Sequence, residues 1–205
     1  MFKLLSRIIL AVLIISVLLI SNPSIAKADI EPTQLAKAVQ EIEYLDAMRS
    51  GLASTLEGQK QEPTIQTFKE VCQPVGMRAK QLSQENGWQV KQIAKKYRNS
   101  AHAPDNLHSQ IALTKFEQNP ELIGFWEQEK LNGKDGIRYY RRINIDASCL
   151  ACHGAKNSRP QFIKDKYPQD LAFDFHVGDL RGMYAVFIPD GLKEALENSE
   201  NITNK

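Results

Sequence analysis

The sequence is short of several things, and each shortage excludes a class of protein. It has three cysteines in 205 residues, Cys72, Cys149 and Cys152, an odd number that no closed set of disulfides can use up. It has one CxxC and no second one, so a four-ligand structural zinc site cannot be assembled from paired CxxC motifs. There is no apolar run of about 20 residues, the length a spanning helix needs. Internal repeats and long low-complexity stretches are absent. Charge of one sign is not in excess either. Lys and Arg number 26 against 24 Asp and Glu, which leaves no electrostatic footprint for nucleic acid.

What is present begins with the first 28 residues. Lys3 and Arg7 form a basic start, residues 8–20 are apolar apart from Ser16, and a polar stretch leads to Ala26-Lys27-Ala28. This is the three-part pattern of a secretory signal peptide with cleavage expected after Ala28. The 13-residue apolar run is short for an anchor, so membrane attachment is expected only if the segment is retained. Removing it leaves 23 basic and 24 acidic residues. The expected organisation is a signal peptide over residues 1–28, one domain over 29–190 and a polar tail over 191–205, helical for a turn and then frayed.

The domain reads as helices followed by strands. Over residues 33–56, Leu35, Val39, Ile42, Leu45, Met48, Leu52 and Leu56 recur at threes and fours, which predicts a helix with Gly58 as its stop. Ile65, Phe68, Cys72, Val75, Ala79 and Leu82 repeat the pattern, placing Cys72 on an apolar stripe. Pro74 either kinks this helix or opens a new one. Trp88, Val90 and Ile93 suggest a strand, and residues 104–118 a loop and short helix. Asn132-Gly133 and Asp135-Gly136 are both turn signals. Ile137, Tyr139, Arg141, Ile143 and Ile145 have the two-residue period of a strand. Phe173, Phe175 and Val177 alternate likewise and lead through Gly178-Asp179 into residues 180–188, a predicted hairpin. The fold class expected is α+β: N-terminal helices against an antiparallel sheet.

Chemistry is concentrated in Cys149-Leu150-Ala151-Cys152-His153, the attachment pattern of a c-type haem. Each thiol can add across one haem vinyl group, the two-residue gap spans neighbouring vinyls, and the histidine after the second cysteine supplies the proximal nitrogen to iron. Chance placement of these cysteines and histidines yields such a motif in roughly one chain in two thousand, and behind an export signal it is specific. One covalent haem c is therefore expected. Three rival readings use the same residues. Zinc would lack a fourth ligand. A plain disulfide across so small a loop gains little. A thiol–disulfide oxidoreductase using the Cys149/Cys152 pair is the main alternative, but such pairs sit where a strand feeds a helix, and residues 154–160 read as a loop.

Cys72 is left over. It is either a small apolar side chain in the core or a thiolate on the iron opposite His153. Met77, Met183, His102, His108 and His176 compete for the same position. Of these, Met77 falls off the apolar stripe, Met183 reads as core, and the three histidines read as solvent-facing. For the haem propionates, arginine forks are suitable partners, and Arg98, Arg141 and Arg181 are the candidates.

With these segments in hand, the chain resembles the small exported c-type haem proteins of PAS-like fold known from cyanobacteria, a domain also found as the extracellular part of bacterial sensor proteins. The resemblance covers about residues 35–188. It is carried by Phe68-Lys69-Glu70-Val71-Cys72, by Arg98-Asn99 with Ala103-Pro104-Asp105, and by Tyr139-Tyr140 ahead of Cys149-Leu150-Ala151-Cys152-His153-Gly154. Gly178-Asp179-Leu180-Arg181-Gly182 completes the set. It implies iron held by His153 and by Cys72 from an N-terminal helix. It also implies a non-enzymatic haem module in the periplasm or thylakoid lumen, sensing redox state or a diatomic gas or carrying electrons, with a redox or signalling protein as partner. Unlike the signalling members, the sequence shows no second apolar span and no transmitter domain after Ile188.

Overall fold

The computed structural model describes residues 32–191; the expected signal peptide and nearly all of the expected tail lie outside them. Three helices come first: α1 (Pro32–Ser54), α2 (Ile65–Val71) and α3 (Gln73–Asn86). The repeat at threes and fours is thus two helices, not one. Pro74 sits in the first turn of α3, where its missing N–H costs nothing, and Cys72 is the junction residue between α2 and α3. Thr64 and Thr67 cap the start of α2 reciprocally. Gly87, with φ 66°, ends α3 in the left-handed conformation that glycine adopts without penalty.

Strand β1 (Gln89–Ile93) follows, then a 3₁₀ turn (Ser100–His102), α4 (Leu107–Gln118), β2 (Gly124–Leu131) and β3 (Lys134–Asn144). After the haem motif come α6 (Gln161–Lys166) and β4 (Leu180–Pro189), while the motif itself supplies α5 (Leu150–His153). The four strands form one antiparallel sheet in the order β1-β4-β3-β2. This is the expected α+β class, in an arrangement consistent with a PAS-like fold.

Both faces of the sheet are covered. Ala38, Ile42 and Leu45 of α1 and Val75 and Leu82 of α3 pack on Tyr139, Ile143, Tyr184, Val186 and Ile188. On the other face Ala112, Leu113 and Phe116 of α4 pack on Ile93, Tyr140, Met183 and Ala185. Cover on both sides explains why Arg138, Tyr140 and Arg142 of β3 are buried although they alternate with the apolar set. Arg138 is buried as an ion, so its charge must be met: it donates to Asp105 at 2.9 Å and to Glu129 at 3.2 Å, and Tyr140 donates to Glu129 at 3.0 Å.

Two expectations are corrected. Asn132-Gly133 is the hairpin turn, with both residues at positive φ. Asp135-Gly136, however, lies inside β3, paired with Lys130 and Glu129 of β2. Gly136 is there for contact rather than for a turn, because a Cβ on it would meet the Ile188 carbonyl and the Phe187 ring of β4. Second, residues 173–177 form no strand. Asp174 takes φ 54°, and the amides of Asp174 and Phe175 donate to the carbonyls of Gly154 and His153 instead of to a neighbouring strand. The segment is paired instead with the end of the Cys149–His153 motif. Gly178 keeps its turn role, with Asp179 N–H donating to His176 C=O.

Among the described residues no helix is long and apolar enough to cross a membrane. Gly136→Ala should lower the urea midpoint and cost about 1–3 kcal/mol, the usual penalty of forcing atoms into a packed region. Wild-type stability in equilibrium unfolding would show that β3 and β4 can separate to accept a methyl group.

Candidate functional site

At one end of the sheet the chain leaves β3, passes Ile145 and Asp146, and makes a 3₁₀ turn (Ala147–Cys149) that runs into α5. Cys149 and Cys152 are thereby put on successive turns, and Gly154 closes the segment by donating to Leu150 C=O. A side chain at Gly154 would collide with that same carbonyl. Asp179 and Gly178 bond both backbone groups of Ile145, tying the motif's entrance to the turn before β4.

A cleft of about 450 Å³ opens here, between the motif and the N-terminal helices. That volume is in the range of small-molecule and cofactor sites. Leu56, Phe68, Val71, Val75, Ile143 and Ile145 give it apolar walls. Cys149, Cys152, His153 and Cys72 all line it. Of the two places open to Cys72, core or cleft, the structure puts it on the cleft: the residue is solvent-accessible and is part of the lining. Its thiol pKa is raised by the surrounding protein, although Arg98, Arg181 and Arg49 all pull it down. Desolvation therefore outweighs three guanidinium groups.

His153 is held by one nitrogen. Its Nδ1 lies 2.8 Å from the Ala172 carbonyl, which can only accept, so Nδ1 carries the hydrogen and Nε2 is the lone-pair nitrogen. Arg98 Nη2, 3.3 Å from the same Nδ1, cannot also bond to it; this guanidinium donates instead to Cys152 C=O at 2.9 Å. Burial and the charges of Arg181 and Arg98 hold the imidazole pKa well below its ordinary value, so the ring is neutral, the form that binds metal. Phe175 packs edge-on against it, with centroids 6.1 Å apart.

The arginines divide. Arg98 and Arg181 line the cleft. Arg181 sits where the β3–β4 register shifts between Ile143/Gly182 and Asn144/Leu180, a bulge that leaves it opposite no β3 residue. Bulges re-aim side chains. This one gives to the cleft a residue that the two-residue period would place beside Met183. Arg181 bonds Lys96 C=O at 3.1 Å, and burial with Arg98 nearby lowers its pKa to about 10. Arg141 is corrected as a propionate contact: it is absent from the cleft lining and grips Glu43 of α1 at 2.9 and 3.0 Å, with Asp46 at 3.1 Å.

The histidine and methionine competitors also divide. Met183 is core, and His176 is 87% exposed with His108 on Glu127. His102 and Met77, read as solvent-facing and off-stripe, both line the cleft.

Several residues gave no sequence signal. Arg49 of α1 reaches Asp46 at 2.8 Å, Asp146 at 3.1 Å and Cys149 Sγ at 3.7 Å. Tyr184 lines the cleft, its hydroxyl is buried beside Arg49, and burial raises its pKa. Asp170, with a side chain 0% exposed, gathers Arg98 and Arg159.

Three thiols on one apolar cleft, a neutral imidazole with one lone pair and three guanidinium groups suit a large apolar ligand with anionic substituents. A porphyrin carrying propionates is of that kind. No three His, Cys, Asp or Glu side chains among the described residues are placed to hold a bare metal ion.

The Tll0287-like family model matches residues 27–189. A solved structure, that of the cyanobacterial haem protein Tll0287, is 57% identical, with a TM-score of 0.71, covering 78% of this chain and 97% of that one. No curated protein matches.

Burial raises the Cys152 pKa to about 11 despite Arg98, so in the haem-free protein only about one Cys152 in a thousand is thiolate at pH 8. Alkylation of Cys152 by iodoacetamide should be slow at pH 8 and climb tenfold per pH unit toward pH 11. A plateau reached by pH 8 would mark an activated thiol instead.

Proposed function

The chain belongs to the Tll0287-like family, and from that premise we propose that it is an exported c-type haem protein. Cys149 and Cys152 would hold one haem covalently, and His153 and Cys72 would bind its iron. The observation that carries this reading is the meeting of all four residues on one cleft, although Cys72 is 77 positions before Cys149 in the chain. The resemblance to a haem protein at 57% identity supports it.

Bound there, the haem would supply a one-electron couple at the iron. The chain's own residues do the rest. Ala172 keeps His153 in the tautomer that offers Nε2. The apolar walls exclude water. Arg98 and Arg181, which both line the cleft, would be the propionate partners. An anionic thiolate from Cys72 would stabilise ferric over ferrous iron and give the centre a low potential compared with one bearing a methionine ligand. Low potential suits a redox or gas sensor whose ligand is displaced on reduction better than a high-potential electron carrier.

The protein is not an enzyme in this reading. It works in the periplasm or thylakoid lumen with a redox or signalling protein, without nucleic acid, and touches a membrane only if residues 1–28 are kept.

After denaturation of the exported protein and extraction with acid acetone, the haem should stay with the polypeptide; haem in the solvent would disprove covalent attachment. Separately, Cys72→Ser should change the ferric paramagnetic resonance and optical spectra. Unchanged low-spin spectra would transfer the sixth position to His102 or Met77, which line the same cleft.

A further inference from the structure

Asp170 lies 17 residues beyond His153, outside the motif, and its buried carboxylate is engaged on both oxygens. Oδ1 accepts the Ala172 N–H at 2.9 Å and Arg98 Nε at 3.4 Å, and Oδ2 accepts Arg159 Nη1 at 2.7 Å. A carboxylate fully removed from water costs several kcal/mol unless paired, and three donors offset that here. Two of the three lead straight to the haem motif. Ala172 is the residue whose carbonyl accepts from His153 Nδ1 at 2.8 Å, and Arg98 is the residue that donates to Cys152 C=O at 2.9 Å. The bond from Asp170 to the amide two residues on is an Asx turn, which sets the direction of the chain at Ala172. Asp170 is also the acidic group whose charge Arg181 feels.

We propose that Asp170 is the positioning residue of the proximal ligand. It orients His153 through Ala172, braces Cys152 through Arg98, and offsets the positive charge of the arginines around the iron. This rests on the haem reading above. Partners beyond the direct ligands fix ring orientation and basicity at metal-bound histidines generally. Here that duty is divided between a backbone carbonyl and the carboxylate that holds it in place.

The two parts of the role separate by substitution. Asp170→Asn keeps an oxygen to accept the Ala172 N–H and removes the charge; Asp170→Ala removes both. In the exported holoprotein the Asn variant should retain covalent haem and a ferric resonance spectrum close to wild type. Its midpoint potential should rise, since uncompensated arginine charge favours ferrous iron. The Ala variant should show the raised potential together with altered ferric g-values or a mixture of species, from a histidine ring no longer held in one orientation. Potentials and spectra equal to wild type in both variants would overturn the proposal. If the Ala variant fails to accumulate, the Asn variant decides alone, and an unchanged potential overturns the electrostatic role. Wild-type haem that leaves with acid acetone would sink the haem reading itself, an outcome distinct from variants that match a haem-retaining wild type.

Discussion

The hydrogen bond from His153 Nδ1 to the Ala172 carbonyl is the contact on which the site turns. A histidine in a cleft has two nitrogens and two tautomers, and only a partner on one nitrogen makes the other a dependable ligand. Supplying that carbonyl requires residues 170–175 to lie flat along the motif. They do so by giving their amides to Gly154 and His153 and by turning through a left-handed Asp174. The same requirement removes the strand that the aromatic alternation suggests, and it brings Phe175 against the imidazole.

Positive charge is the second organising feature. Arg49, Arg98, Arg159 and Arg181 converge on this end of the sheet, and the carboxylates that answer them are few: Asp46 and Asp146 for Arg49, Asp170 for Arg98 and Arg159. Arg181 has a carbonyl and, among the described residues, no ion pair. A half-buried guanidinium without a carboxylate is an expense that a ligand anion would offset. Arg141, by contrast, is fully answered by Glu43 and Asp46, and its task is to hold α1 on the sheet.

The two helices that meet at Cys72 show how fold and site share a device. Pro74 forbids a continuous helix, and the break leaves Cys72 with its side chain on the cleft rather than in the core. A single helix through this region would have kept the thiol on the apolar stripe with Val75 and Leu82, which are buried.

By itself the sequence determined the elements whose signals are local. The apolar spacing in α1, the Asn132-Gly133 turn and the contiguous Cys149-to-His153 motif each depend on residues a few positions apart. Tertiary structure decided whatever depends on a distant partner. Gly136 is a turn signal in isolation, but only the Phe187 ring across the sheet makes it a packing glycine. Arg141 and Arg181 look alike as strand arginines; a bulge gives one to the cleft, and a carboxylate on α1 claims the other. Asp170, Ala172 and Tyr184 acquire their places from contacts with residues 19 to 135 positions away, as His102 and Met77 acquire theirs by lining a cleft that exists only once helices and sheet have met. Side-chain chemistry is written in the chain, but direction is not, because direction comes from packing.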